Sequence, residues 1–265
     1  MTITLMLIGM IGLSLLNVPI AIALGFVAMA AIALIQGPDM LPNLALEMFN
    51  GASSFPLLAI PLFILSGAIM NASSISRRLI AFASSLVGFV RGGLSMVSIG
   101  TSVFFAEISG SAVADVAALG TILIPAMKNR GYSKEVAAAT MSSAASLAII
   151  IPPSIPMILY AVMAQTSTVK LFVAGIVPGL LGAVAMAGAA YYHAVKYDFP
   201  IEERFRLANV WRTGKEALWA FILPIAILGS IFGGIVTATE GAGMAVLASI
   251  VVGGLIYRDL DLREL

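Results

Sequence analysis

Hydrophobic positions in this chain form long runs that mostly lack alternation, separated by short polar or basic segments. The first run covers residues 3–35, which is too long for one upright membrane span at about 1.5 Å per residue. Asn17-Val18-Pro19 interrupts it, so we expect a kink or a split there. A polar loop is predicted for residues 36–54, followed by a span over residues 55–71.

The middle of the chain holds two apolar runs, each shorter than the roughly 20 residues that cross a bilayer. They cover about residues 92–106 and 112–127, with the polar segment Glu-Ile-Ser-Gly-Ser between them. Arg91 precedes the pair and Lys128 follows it. A re-entrant helical hairpin that enters and leaves on the cytoplasmic side satisfies both facts. Two unusually short spans are the alternative.

The next apolar stretch, residues 136–164, is predicted to cross outward as a discontinuous helix. Pro152, Pro153 and Pro156 lie inside it. Proline removes a backbone donor, clashes with the preceding turn and disfavours helical geometry in the residue before it. A kink tolerated by neighbouring helices is the alternative. Three prolines in five positions favour a true break near residues 151–154.

Three further spans are expected at residues 171–195, 217–236 and 241–257. Between the first two lies a basic segment that is predicted to form an interfacial amphipathic helix, with Trp211 and Trp219 as anchors. The excess of Lys and Arg in alternate connections makes those connections cytoplasmic by the positive-inside rule.

These elements suggest four parts with different roles. The expected parts are a scaffold or oligomerisation region with an arm helix (1–90), a transport-type region (91–195), a cytoplasmic linker (196–216) and further spans (217–265). Within the second part, the hairpin covers about 92–127 and the broken helix about 136–164.

Composition supports an all-α integral membrane protein. The chain is 60% hydrophobic and only 10% charged, whereas soluble domains carry about a quarter charged residues. It contains no cysteine and a single histidine, His193, so thiolate sites are excluded and an enzymatic site is disfavoured. There is no basic stripe that would indicate nucleic acid binding. The first run has no basic flank or clear cleavage site and is interpreted as a mature span.

The predicted hairpin tip is the first candidate site. Ser109, Gly110 and Ser111 would expose hydroxyls and carbonyls to a cation, and the N-terminus of the following helix favours an anion. Glu107 and Asp115 flank the tip, and carboxylates inside a membrane are functional by default. A loop of small packing residues is the alternative.

The predicted helix break is the second candidate site. Unwinding around Pro152, Pro153 and Ser154 would free carbonyls near Ile151. A hairpin combined with a discontinuous helix is the architecture in which ion-coupled transporters hold ions and anionic substrates. Such freed carbonyls are tolerated where they line a cavity, which the hairpin tip would share.

A third candidate is the segment Thr237-Ala238-Thr239-Glu240. Glu240 is interpreted as an acid that lies at the outer mouth of the site or packs against the scaffold, and an exposed loop acid is the alternative. We include Thr237, Thr239 and Glu240 as possible site residues.

At these residues the sequence resembles the large membrane subunit (DctM-like) of the tripartite ATP-independent periplasmic (TRAP) transporters. The resemblance covers essentially the whole chain. It rests on the following segments: IPLFILSGAIM, SGSAVADVAALGTILIPAMKNRGYSKEVAAA, IIIPPSIPMILYAV, KLFVAGIVPGLL and GGIVTATEGAGMAVLASIVVG. One departure is Ala238, where the family often has proline.

The resemblance implies an ion-transporter-type fold and a sodium-coupled elevator mechanism in the bacterial inner membrane. The substrate would be a small organic acid, such as a C4-dicarboxylate or a sialic acid, delivered by a periplasmic substrate-binding protein. A small four-helix membrane subunit would be the membrane partner. Sodium would bind at Ser109, Gly110, Ser111 and the backbone near Ile151, with no other cofactor.

The family's large subunit is longer than this chain and carries a second inverted repeat. We therefore expect the chain to correspond to the N-terminal part, with the first repeat and the spans after it, and not to transport alone. The alternatives are another ion-coupled anion transporter without a binding protein, or a non-transporting structural membrane fragment.

Overall fold

A computed structural model of the protein describes residues 2–199, 201 and 205–260, without the side chains of Thr2, Ile108 and Ser109. Regular structure in these residues is helical, apart from one isolated bridge between Arg91 and Ile201. The predicted all-α class is therefore confirmed. The chain divides into two compact units, Met1–Ser54 and Phe55–Leu265.

The first unit contains three helices, α1 (Thr2–Leu15), α2 (Ile20–Ile35) and α3 (Leu41–Ala52). Helices α1 and α2 are separated by a turn in which Asn17 has a positive φ of 62°, so the predicted split of the first apolar run is confirmed. Both helices are apolar on all sides and expose most of their large side chains. This pattern is typical of helices surrounded by lipid.

The prediction of a loop over residues 36–54 is wrong. A short 3-10 turn, Pro38–Met40, leads into the twelve-residue helix α3. Proline at the first turn of a helix is favourable because its missing N–H has no helical partner there. The alternation of leucine and methionine with polar residues in this segment was compatible with an amphipathic helix. Asp39 and Asn43 obscured that pattern.

The second unit contains ten helices in its described residues, several of them joined by very short connections. Their bounds are α4 Ala59–Asn71, α5 Ile75–Val87, α6 Gly93–Ser109, α7 Ala112–Asn129, α8 Lys134–Ala145, α9 Ile155–Met163, α10 Thr168–Lys196, α11 Leu207–Glu216, α12 Leu218–Phe232 and α13 Ala238–Ile250. Helix α13 continues as a π-helix over Val251–Ile256. The predicted spans and the predicted interfacial helix all coincide with helices. Residues 261–265 of the last predicted part lie outside the described residues.

Among the described helices, three are long and apolar enough to cross a membrane. They are Ala112–Asn129, Thr168–Lys196 and Ala238–Ile256. Helices α11 and α12 pass the same test together but are bent by 60° where they meet. This bend agrees with an interfacial helix that turns into a span. Helix α6 is shorter, as expected for a re-entrant course, whereas α7 is long enough to cross a membrane, contrary to the expectation that both runs are too short. The re-entrant course stays a prediction.

Helix α6 lies at the centre of the second unit, against α5, α7, α8 and α10. Several of its serine and threonine side chains are buried, and two of them bond within the helix. Ser98 donates to the Leu94 carbonyl at 2.8 Å, and Thr101 donates to the Val97 carbonyl at 2.6 Å. Small polar residues of this kind allow neighbouring helices to approach closely. The larger core side chains around α6 include Phe63, Phe105, Leu119, Met141, Ile158 and Phe172.

The segment that follows the π-helix contacts the beginning of α5. The Arg78 guanidinium lies 4.1 Å from the centre of the Tyr257 ring, and its Nη2 lies 3.9 Å from Asp259 Oδ2. Asp259 Oδ1 also accepts a hydrogen bond from the Ser74 backbone N–H at 3.2 Å. Arg78 therefore has both a cation–π contact and an ion pair across this junction.

Candidate functional site

Helices α6 and α7 form a hairpin whose tip is at Gly110 and Ser111, as the sequence predicts. Gly110 has φ 57° and ψ 13°, and its N–H donates to the Ala106 carbonyl at 3.3 Å, which ends α6. The Ser111 hydroxyl accepts from the Ala114 N–H at 3.4 Å and begins α7. The tip is thus a glycine C-cap followed at once by a serine N-cap. Ser109 is the last residue of α6, and its side chain lies outside the described residues.

The helix after the hairpin is broken, also as predicted. Helix α8 ends at Ala145, a 3-10 turn covers Ser146–Ile149, and α9 begins only at Ile155. In a continuous helix the Ile149 carbonyl would accept from residue 153, but Pro153 has no N–H. The fully buried Ser154 replaces that donor, because its hydroxyl donates to the Ile149 carbonyl at 2.6 Å. The peptide bond between Pro152 and Pro153 is cis.

The hairpin tip and the break are in direct contact. The Gly110 carbonyl accepts a hydrogen bond from the Ile155 N–H at 3.2 Å. The Pro153 carbonyl oxygen lies against Gly110, since a Cβ at this glycine would come within 2.6 Å of that oxygen. The two segments that the sequence singled out separately therefore form one site, with backbone oxygens at its centre.

Helix α10 supports the break through two glycines that sequence reasoning missed. A Cβ at Gly175 would overlap the carbonyl oxygen of Ile150, and one at Gly179 would lie 2.5 Å from Cγ1 of Ile151. Glycines four residues apart let a helix approach another backbone closely. The spacing Gly-x-x-x-Gly was visible in the sequence and could have identified this contact.

The two acids near the tip occupy different environments. Asp115 is fully buried in the first turn of α7, where the partial positive charge of the helix N-terminus favours a carboxylate. Glu107 lies in the last turn of α6 and is partly buried. They belong to different helices on opposite sides of the tip, so they do not form a pair on one helical face.

The third candidate, around Glu240, has a clear structural role. Thr237 and Glu240 form a capping box at the start of α13. The Glu240 carboxylate accepts from the Thr237 N–H at 2.7 Å, and the Thr237 hydroxyl accepts from the Glu240 N–H at 3.3 Å. Glu240 is exposed but belongs to a helix turn, so the loop interpretation is wrong. Thr239 is buried beside it. The pattern Thr-x-x-Glu before an apolar run was the missed signal.

A separate cavity of about 320 Å³ lies between α6, α8 and α10. Thr140, Ser143 and His193 contribute polar groups to its lining. The His193 ring also stacks on Tyr197, with centroids 5.8 Å apart. Within the described part of the chain, no group of three or more His, Asp or Glu side chains is placed to hold a metal ion.

Comparison with known proteins identifies the family. Residues 7–265 match the model for "Tripartite ATP-independent periplasmic transporter, DctM component". The isethionate TRAP transporter permease protein DctMQ of Oleidesulfovibrio alaskensis is 42% identical over 92% of this chain and 39% of its own length. The C4-dicarboxylate TRAP transporter large permease protein DctM of Vibrio cholerae is 39% identical over 98% of this chain and 57% of its own length.

A third relative is the sialic acid TRAP transporter permease protein SiaT of Haemophilus influenzae. It is 37% identical over 83% of this chain and 36% of its own length. The chain thus spans between about a third and three fifths of the length of these curated relatives. All three are named as transporter permeases and not as enzymes, in agreement with the sequence analysis. The chain belongs to the DctM component family of the tripartite ATP-independent periplasmic transporters.

Proposed function

We propose that this chain supplies half of the ion and substrate site of a sodium-coupled, binding-protein-dependent transporter of small organic acids. The observation that carries this proposal is the contact between the hairpin tip and the helix break. There the Gly110 carbonyl bonds to the Ile155 N–H at 3.2 Å, and the Pro153 carbonyl lies beside Gly110. Unwound carbonyls and half-helix ends are what secondary transporters use to hold ions and anions.

The proposed sodium ligands are oxygen atoms from both segments. They come from the tip residues Ser109, Gly110 and Ser111 and from the backbone near Ile151. Asp115, partly buried Glu107 and the break residues Pro152, Pro153 and Ser154 surround this group of oxygens. Sodium is the proposed coupling ion, which is carried together with the substrate.

The same place suits a carboxylate or another organic anion. Helix α7 begins at Ala112 and α9 begins at Ile155, so both N-termini lie at the contact between tip and break. The partial positive charge of a helix N-terminus favours an anion. The relatives' names specify isethionate, a C4-dicarboxylate and sialic acid, all of which are small organic anions.

An elevator movement is supported by the contacts at the open end of the hairpin. Arg91, just before α6, pairs with Asp198 at 3.0 Å. Tyr132, just after α7, packs on Phe199 with ring centroids 4.4 Å apart. The segment that follows α10 therefore contacts both ends of the hairpin. We infer that the hairpin and α10 move as one body.

The partners we propose are a small four-helix membrane subunit and a periplasmic substrate-binding protein. The family description calls the system tripartite, and the term "large permease" in one relative's name implies a smaller companion. The whole permease, including the second inverted repeat that we expect beyond this part, would be needed for transport.

The test is sodium-dependent uptake by the complete transporter in proteoliposomes. Labelled isethionate, C4-dicarboxylate and sialic acid would be supplied in parallel with the binding protein. Ser111→Ala and Pro153→Ala should raise the sodium concentration for half-maximal uptake severalfold. Ser111→Thr keeps the hydroxyl and should retain the original sodium dependence.

The matched control is Ser146→Ala. The Ser146 hydroxyl donates to the carbonyl of Ser143 at 2.7 Å, a local bond at the end of α8, so its loss should leave sodium dependence unchanged. Unchanged sodium dependence in both Ser111→Ala and Pro153→Ala would contradict the proposed site.

A further inference from the structure

Helices α5 and α11 lie side by side in antiparallel directions. The Ser85 and Thr213 hydroxyls form a buried hydrogen bond of 2.9 Å between them. Just beyond the end of α5, Phe89 packs edge-on against Phe205, which precedes α11, with ring centroids 5.2 Å apart. Residue numbers rise along one helix as they fall along the other. The two helices therefore form a paired, partly amphipathic surface.

A groove of about 840 Å³ opens along this pair and is lined mainly by apolar side chains. Phe82 contributes from α5, and Leu207, Val210, Trp211, Lys215 and Leu218 contribute from α11 and the start of α12. Leu207 is 72% exposed and Trp211 69% exposed. In a helix that lies at the membrane interface, an exposed apolar face of this kind is buried at the boundary between headgroups and acyl chains.

Lys215 is the basic residue in the lining of the groove, and two further bases belong to the same helix or its start. Arg206 occupies the N-cap position of α11 without a side-chain capping hydrogen bond. Arg212 and Lys215 are exposed on the same helix, and the Arg212 guanidinium donates to Asn209 Oδ1 at 2.9 Å. Lys215 Nζ lies 5.0 Å from the centre of the Trp211 ring, at the groove itself. Glu216 is the one acidic residue of α11. The groove therefore combines an apolar floor with the positive charge of Lys215 in its lining, and Arg212 adds a second positive charge on the same helix.

We propose that this groove binds an anionic phospholipid, with an acyl chain along the floor and the headgroup phosphate beside Lys215 and Arg212. The apolar floor offers few hydrogen-bond partners, so it favours a ligand without polar groups along its length. An acyl chain is such a ligand. The two positive charges need a negative charge at the same depth as Trp211, and tryptophan is enriched where headgroups begin. Basic residues beside amphipathic helices recognise anionic lipid headgroups. This site is independent of the transport proposal.

The test uses Trp211 as a fluorescent reporter. The chain has two tryptophans, so Trp219→Phe leaves Trp211 alone. The purified full chain with this substitution is placed in vesicles that contain either brominated phosphatidylglycerol or brominated phosphatidylcholine, and quenching is compared. Half-maximal quenching by brominated phosphatidylglycerol should need a mole fraction at least about fivefold lower than that of brominated phosphatidylcholine. Each basic residue near the surface contributes about this factor to the affinity for an anionic lipid.

Lys215→Gln with Arg212→Gln should remove this preference, while quenching by phosphatidylcholine remains. Lys170→Gln is the matched control, because Lys170 is an exposed base at the start of α10, and it should keep the preference. Equal quenching by the two lipids in the chain with both bases would overturn the proposal. So would a preference that survives Lys215→Gln with Arg212→Gln. Absence of quenching by either lipid would also overturn it and would indicate that a protein segment covers the groove.

Discussion

Gly110, Gly175 and Gly179 are positions at which one backbone segment touches another with no side chain between them. Gly110 also has a left-handed conformation that other residues adopt only with strain. The two α10 glycines leave room for the Ile150 carbonyl and the Ile151 side chain of the broken segment. At the residue scale, the geometry of the candidate site thus depends on missing methyl groups as much as on polar atoms.

Gly110→Ala should destabilise the protein. The left-handed conformation costs an alanine about 1–2 kcal/mol, and its Cβ would meet the Pro153 carbonyl oxygen at 2.6 Å. Thermal unfolding in detergent should show a lower midpoint for this variant. Gly100→Ala is the control, because nothing lies within 4 Å of a Cβ there. Equal midpoints for the two variants would argue against a tight tip.

Gly175→Ala should also lower the unfolding midpoint, by an amount typical of overpacking, about 1–3 kcal/mol. Its methyl group would overlap the Ile150 carbonyl and push the break away from α10. Gly188→Ala lies on the same helix with open space around its Cβ and should be neutral or slightly stabilising. A loss of stability only in Gly188→Ala would refute the role assigned to Gly175.

At the element scale, the sequence predicted the helices and their breaks wherever the local pattern of residues was distinctive. Apolar runs, the prolines of the break and the glycine of the tip fixed the positions of α6 to α10 closely. Helix α3 was missed because polar residues and a proline were interpreted as a loop. The contact between tip and break was expected only as a shared cavity, because a hydrogen bond between Gly110 and Ile155 depends on tertiary packing. No sequence period encodes such a contact.

The capping box at α13 gives a further prediction. Thr237→Ala should destabilise α13 by about 0.5–2 kcal/mol, since it removes the hydroxyl that satisfies the Glu240 N–H. Thr237→Ser keeps the hydroxyl and should restore most of this loss. The measurement is thermal unfolding of the purified variants. If Thr237→Ala and Thr237→Ser behave alike, the cap does not contribute as described.

At the scale of the whole molecule, family membership places the chain in the bacterial inner membrane as a multi-pass protein. Both units expose large apolar side chains, among them Leu34 in the first unit and Val184 in the second. The predicted roles of the four parts and the sides of their connections stay predictions. A sequence without membrane coordinates gives the order of the spans but not the depth of each helix.

The side of the hairpin ends can be tested by cysteine labelling, because the chain has no cysteine of its own. Arg91→Cys and Arg130→Cys should both react with an impermeant reagent only from the cytoplasmic side. Val113 is exposed near the tip. If the hairpin is re-entrant, Val113→Cys should not be labelled from the cytoplasmic side in the way that the other two variants are. Labelling of positions 91 and 130 from opposite sides would rule out the hairpin course.

The junction between Arg78, Tyr257 and Asp259 has a consequence for local unfolding. The hydrogen bond from the Ser74 N–H to Asp259 joins positions 185 residues apart in the sequence. Local unfolding of either segment therefore breaks the contacts that stabilise the other segment. Protein regions that open together exchange their amide hydrogens together. Amides at the start of α5 and in the π-helix should therefore exchange with a common protection factor, and Asp259→Asn should lower that factor at both ends.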